Sequence, residues 1–414
     1  MKSLFQSTWP LFFGITLIMI GNGLQGTLLG VRAEIEGFDT ATTGLIMSLY
    51  YGGYLAGSIL APKLVSNVGH IRVFTALASL ASTTALFHGL FADPVVWAIS
   101  RIIAGFSFAG LYIVVESWFN ALSTNENRGK ILGAYMLTFY GAMVAGQYLL
   151  NLAPAEKIEL FILISILISI ALVPISLSKR PAPDFEAPTP TGPKSVYKAS
   201  PLGTIGVIIS GTASGIIFAL APVYAIQMDL ETAQIANFMA LFVMGGMLAQ
   251  LPLGLISDKV GRRKLIMGAS LLAGAAAGAC YLVSDDIELL YIAFFVLGMP
   301  ALSIYGLCVA YTNDYLDNDQ YVGASATLIL LGGCGAFAGP FIASMIMQAF
   351  GTEALFLMLG FIYSAILTVG IQRAIVRDQV PIEEQAHFIS VPPRATPIAA
   401  QIAEETDESE AENT

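Results

Sequence analysis

Charge is what this sequence most lacks. Asp, Glu, Lys and Arg make up 12% of its 414 residues and hydrophobic residues 56%, whereas soluble domains carry about 25% charged residues. Eleven stretches of at least 19 residues, from 3–31 to 354–372, hold no charged residue at all. Soluble helices need a polar face, so a soluble helical fold is excluded. Cysteine is scarce too. Cys280, Cys308 and Cys334 all lie in those stretches, an odd number that gives neither a disulfide framework nor metal spacing. His70, His88 and His387 are scattered, so no metal cluster is expected. No glycine-rich loop ends in Gly-Lys-Ser or Gly-Lys-Thr, the phosphate cradle of an ATP-driven pump. Nor is there a set of groups suited to intramembrane catalysis. The expectation is a non-enzyme with no cofactor or metal.

Apolar stretches of helix length are what the chain has in abundance. A helix needs ~20 apolar residues to cross ~30 Å of hydrocarbon, and its backbone polar groups must be satisfied internally there. The eleven stretches meet that length, and a twelfth, 94–121, is interrupted only by Arg101 and Glu116. The expected fold class is an all-α membrane protein with twelve transmembrane helices. If the amino terminus lies inside, 16 of the 19 cations fall on the inner side, which places both termini in the cytoplasm of a multi-pass cell (inner) membrane protein. The first stretch is too long for a cleaved signal peptide and is expected to stay as an anchor.

The sharpest local pattern is GLISDKVGRRK at 254–264. An apolar run ends at Asp258, the chain turns at Gly261, and Lys259, Arg262, Arg263 and Lys264 crowd into six residues. This resembles the cytoplasmic-loop signature of the major facilitator superfamily, in which a glycine (here Gly254) precedes an aspartate by four residues and Gly-Arg-Arg-Lys follows. The stretch 62–72 reads as a worn copy: Gly69 matches Gly261, but Ser66 stands where Asp258 stands. At an offset of 193, Gly105 meets Gly298, Tyr112 meets Tyr305, Asn120 meets Asn313 and Gly146 meets Gly339. The fold the resemblance implies is two pseudo-symmetric six-helix bundles, with substrate held between them. The expected division is 1–177, a proline-rich extended linker at 178–200, 201–377, and an acidic disordered tail at 378–414.

Polar residues at membrane depth mark candidate sites. Asn22 and Gln25 in the first helix, Tyr51 in the second, and Arg101 and Tyr112 in the fourth are expected to line a cavity, together with Ser214, Gln250 and Tyr305 of the second half. Arg101 is followed four residues later by Gly105, which resembles the superfamily's fourth-helix signature. Arg101 is expected at the depth of Asn22 and Gln25, forming one polar cluster that fixes helix geometry or meets substrate. Glu116 lies fifteen residues further, ~22 Å along the same helix. It reads either as a proton-coupling site or, with Arg128, as part of a gate; both readings stand. The expected gating set is Gly254, Asp258, Gly261, Arg262, Arg263, Lys264 and Arg128. A Gly-xxx-Gly-Pro element like that of drug exporters occurs at 335–340, but in the eleventh helix rather than the fifth, so export does not carry over.

The resemblance implies a secondary active transporter that moves a small organic solute by alternating access, coupled to protons. The alternatives are a facilitative uniporter and a transporter-like sensor that moves nothing. Expected partners are the solute, the lipid bilayer and protons, with no nucleic acid; a monomer is expected.

Overall fold

The computed structural model describes residues 2–124, 127–177, 190–317, 320–382 and 385, and among these every regular element is helical. The first half holds α1 (Lys2–Ile35), α2 (Thr40–Val68), α3 (His70–Leu90), α4 (Pro94–Leu122), α5 (Arg128–Tyr148) and α6 (Glu159–Ser176). A short α7 (Pro193–Ala199) leads into the second half. That half holds α8 (Pro201–Gln227), α9 (Thr232–Val260), α10 (Arg262–Leu282), α11 (Ile287–Ala301), α12 (Ile304–Asn313), α13 (Tyr321–Phe350) and α14 (Ala354–Val376). Taking α11 and α12 as one broken span, eleven of the twelve spans are both long and apolar enough to cross a membrane. The twelfth is α5, a 21-residue helix diluted by Arg128, Lys130, Gln147 and several glycines and tyrosines.

Two expectations change. Residues 178–189 lie outside the described residues, but the end of the expected extended linker is helical. Pro193 occupies the first helical turn, where its missing N–H costs nothing, and Val196 is buried against the bundle. The expected tenth helix is broken. Pro300 cannot donate to the ladder, so α11 ends at Ala301 and α12 starts at Ile304, with the Leu302 and Ser303 amides bonded to Gly298 and Pro300. Of the tail, residues 386–414 lie outside the described residues.

The internal repeat is visible as matched helix crossings. Gly105 of α4 lies against the Tyr50 carbonyl of α2, and Gly298 of α11 against the Phe242 carbonyl of α9. Gly146 of α5 lies against Ile20 of α1, and Gly339 of α13 against Thr212 of α8. Each partner is also displaced by the repeat offset, so one crossing geometry is used twice. Gly69 and Gly261 both take positive φ, 93° and 88°, and each closes the helix before it by donating to the carbonyl four residues back. Only glycine adopts that backbone without strain. These two turns define one end of the bundle, termed here the basic end; the other is the far end.

The halves meet mainly through α2 with α13 and α5 with α9, and through α1 with α8. Under the repeat the first two contacts are images of each other. Glycines permit the closeness: Gly44 of α2 faces Ser344 of α13, Gly52 faces Phe337, and Gly333 of α13 faces Leu55.

The matched crossings make a direct stability prediction. A methyl on Gly298 would meet backbone, which cannot move aside, so Gly298→Ala should destabilise by at least the ~1–3 kcal/mol usual for overpacking. Gly141→Ala, with nothing within 4 Å of the new methyl, should be neutral. Thermal unfolding in detergent checks both.

Candidate functional site

In the first half a run of tyrosines links the buried cation to the buried amide. The Arg101 guanidinium lies over the Tyr50 ring, 4.2 Å from its centroid. Tyr50 contacts Tyr54 at 6.3 Å and Tyr51 edge-on at 5.4 Å, and Tyr54 contacts Tyr112 at 6.2 Å. The Tyr112 hydroxyl accepts from Asn22 Nδ2 at 2.6 Å. Cation–π contact is worth ~2 kcal/mol or more when desolvated, and Arg101 is only 5% exposed. At the repeat positions of Arg101 and Tyr50, the second half has Phe294 and Phe242, with ring centroids 4.9 Å apart. One crossing thus carries a charge in the first half and none in the second.

The expected equal depth of Asn22 and Arg101 does not hold. α1 continues to Ile35, four residues past the charge-free stretch that ends at 31, so Asn22 sits deeper. Its partner Tyr112 is eleven residues beyond Arg101, about 16 Å along α4. Gln25 is fully buried, and neither its Oε1 nor its Nε2 has a hydrogen-bond partner among the described residues. On the same helix, Gly23 packs on Met143 of α5 and Gly30 on Pro222 of α8. Between them Gly26 shares that face, yet nothing lies within 4 Å of where its Cβ would stand. This leaves open space on the α1 face between those two contacts, and Gln25, its neighbour in the chain, is itself enclosed.

Glu116 is fully buried in α4, and its Oε1 accepts from the Tyr135 hydroxyl of α5 at 2.8 Å. Phe119 and Phe139 flank Tyr135 at 5.5 and 6.1 Å. The Tyr135 hydroxyl is thus one of the groups that hold this carboxylate, in an aromatic setting. Arg128 is buried at the first residue of α5.

Of the expected second-half residues, Gln250 of α9 is the best placed. It donates to the Tyr140 hydroxyl of α5 at 3.0 Å and to the Leu302 carbonyl at 3.2 Å. One amide therefore crosses between the halves and satisfies a carbonyl at the α11–α12 break. Tyr305 of α12 is buried with its ring edge against Gly332 of α13, and Ser214 of α8 is half-buried.

At the basic end, Arg262 is 1% exposed and forms an ion pair with Asp314 at the end of α12. It also donates to the Ala310 carbonyl at 3.1 Å. In the first half the corresponding residue is His70, whose Nε2 lies 2.9 Å from Ser117 Oγ. The worn copy of the loop thus keeps the glycine turn and Arg72, but has a histidine where the second copy has Arg262. Arg263 donates to the Arg377 and Arg373 carbonyls at 2.5 and 3.3 Å, Lys264 is exposed, and Gly254 is buried in α9. The side chain of Asp258 lies outside the described residues.

At the far end, Gln227 of α8 is a hub. Its Nε2 donates to Glu34 of α1 and to Thr40 Oγ1 of α2, both at 3.0 Å. Its Oε1 accepts from Thr352, between α13 and α14, at 2.8 Å.

Sequence reasoning passed over Gln227, Tyr140 and the Asp314 partner of Arg262. Asp314 had a usable signal: an acid at the end of an otherwise charge-free stretch, at the same end of the bundle as Arg262. A glutamine or tyrosine closing or flanking an apolar run carries no such mark.

The family model described as Major Facilitator Superfamily matches residues 11–239 and 203–400. An uncharacterized transporter of this type from Enterobacter sp. (strain 638) is 27% identical over 370 residues, covering 86% of this chain and 94% of that protein. The uncharacterized transporter YcaD of Escherichia fergusonii is 27% identical over 362 residues, with the same coverage of both chains. Among solved structures, the nucleoside transporter NupG superposes with a TM-score of 0.73, covering 90% of this chain and 99% of that one at 13% identity. The human organic anion transporter MFSD10 (TETRAN) gives 0.61, covering 89% and 99% at 15% identity. With the matched half-repeats and the match along most of its length, this chain belongs to the Major Facilitator Superfamily of multi-pass membrane transporters.

Proposed function

We propose that the protein is a proton-coupled secondary transporter of a small organic solute, working by alternating access between its two halves. The observation that carries the reading is the open space at Gly26. It lies on the α1 face that otherwise packs on α5 of the first half and α8 of the second. Gln25 beside it has an unused donor and acceptor. Both halves can contribute to such a space, and a sliding or rocking motion of one against the other would open it to either end.

In this scheme Asn22, Gln25, Tyr51, Tyr112, Ser214, Gln250 and Tyr305 line the path. Their amides and hydroxyls suit a neutral or amphipathic solute. Arg101 holds the tyrosine run in register from one side of α4, and Glu116 takes and releases the proton further along the same helix. The complete burial of Glu116 and the hydroxyl of Tyr135 that donates to it support that role. A proton moving inward gains ~2.3 kcal/mol per 100 mV, enough for a solute gradient of about fifty-fold at ~1.4 kcal/mol per tenfold. One carboxylate suffices. With both termini inside a bacterial inner membrane, as the cation distribution favours, Gln227 would seal the outer side and the loop carrying Asp258 and Arg262 would work at the inner side. The units that move would be 1–177 and 201–377.

Flux into proteoliposomes tests the scheme, after a thermal-shift screen finds a ligand. Gly26→Phe should abolish flux while leaving the melting temperature unchanged; undiminished flux would place the path elsewhere. Arg101→Ala should abolish transport in protein that still reaches the membrane, and normal rates there would remove Arg101 from the working parts. Glu116→Gln should let solute flow downhill but no longer respond to a pH gradient; a slower carrier that is still pH-driven would make Glu116 a gate instead. Asp314→Asn strands Arg262 without its carboxylate, so stability should fall by the ~3–5 kcal/mol typical of a broken buried pair, read from thermal unfolding.

A further inference from the structure

The transport reading leaves one charged feature unused. At the basic end of the second half, a pocket of about 70 Å³ opens among α7, α10, α12 and α14, with room for about five waters or one carboxylate. Four cations line it: Lys198, Arg263, Arg373 and Arg377. Tyr311 and Tyr315 complete the wall, their hydroxyls 3.0 Å apart. Among the described residues no Asp or Glu pairs with any of the four cations. Arg263 and Arg377 are held instead by neutral groups, Arg263 through the carbonyls of Arg373 and Arg377. The Arg377 guanidinium lies over the Tyr315 ring at 4.3 Å and donates to the Ala199 carbonyl at 3.1 Å. Nε of Arg373 is buried with no partner among the described residues. Four clustered cations repel one another, and an anion in the pocket would relieve that repulsion.

We propose that this pocket is the docking site for the acidic stretch 404–412 of the same chain. Six carboxylates lie there, Glu404, Glu405, Asp407, Glu408, Glu410 and Glu412. The chain that carries them leaves the bundle from Arg377, in the pocket's own wall. Its first residues turn back over the basic end, since the Gln379 amide sits beside Gly261 at the α9–α10 turn. From Gln385 to Glu404 is nineteen residues, or ~65 Å fully extended, so reach sets no limit. Tethering also holds the acids at millimolar effective concentration near the pocket, an advantage that an untethered anion lacks. Docked there, the tail would pin α7, the last part of the connection between the halves, to α10, α12 and α14.

Zero-length carbodiimide coupling joins a lysine to a carboxylate only where the two are in contact, and Lys198 is the pocket's single lysine. The full chain is placed in nanodiscs of phosphatidylcholine alone or with phosphatidylglycerol, and coupled peptides are mapped by mass spectrometry. The expected result is a Lys198 link to a residue of 404–412 in both lipids. It should weaken by about threefold or more in 0.5 M NaCl, where charges are screened beyond a few ångströms. Arg373→Gln, which keeps both coupling partners, should weaken it similarly at unchanged melting temperature. Because the salt test uses the native chain, a misfolded variant would not spare the proposal. Absence of the link in both lipids overturns it. So does a link indifferent to salt, or a Lys198 shielded by phosphatidylglycerol with no tail attached, which would give the pocket to a lipid headgroup.

Discussion

Two helices approach only as closely as the side chains between them allow, and that limit organises this molecule. Where Gly105 meets the Tyr50 carbonyl and Gly298 meets that of Phe242, backbone touches backbone. Lipid offers helices little hydrophobic reason to associate, so close packing and interhelical hydrogen bonds must supply the attraction. The glycine crossings set the spacing within each half, and a second series along α2 and α13 sets it between the halves. Everything polar in the interior is positioned by these contacts. Tyr50 presents its ring to Arg101 because the crossing at Gly105 fixes α2 one helical turn away.

Polar groups at this depth have to be matched one by one. The break between α11 and α12 leaves the Leu302 carbonyl without an ordinary helical partner, and Gln250 reaches it from α9 while also bonding Tyr140 across the interface. Asn22 is matched to Tyr112, Glu116 to Tyr135 and Arg262 to Asp314. Gln25 is enclosed, and both its amide oxygen and its amide nitrogen lack a partner among the described residues.

Much of this was legible in the sequence. Charge-free runs of helix length gave the spans, because lipid tolerates so little else. The offset of 192 to 193 residues gave the duplication, because glycines at backbone crossings cannot drift without breaking them. What failed did so for local reasons. The depth of Asn22 was misjudged because an apolar run does not announce where its helix stops, and α1 outruns the hydrophobic stretch to Ile35. The broken tenth span hung on Pro300 alone, whereas Pro62, Pro222, Pro252 and Pro340 sit inside unbroken helices. The partner of Arg262 carried only the faint signal of an acid closing a charge-free stretch, because Asp314 lies 52 residues away and only the fold brings it near.

The Gln227 hub has a kinetic meaning. One planar amide ties α1, α2 and the α13–α14 connection at once, so its three bonds share a single side chain. Turning that side chain away surrenders all of them together. If these helices part by the turning of that side chain, they should do so in one step with a single relaxation time, unlike a row of independent contacts that peel apart in sequence.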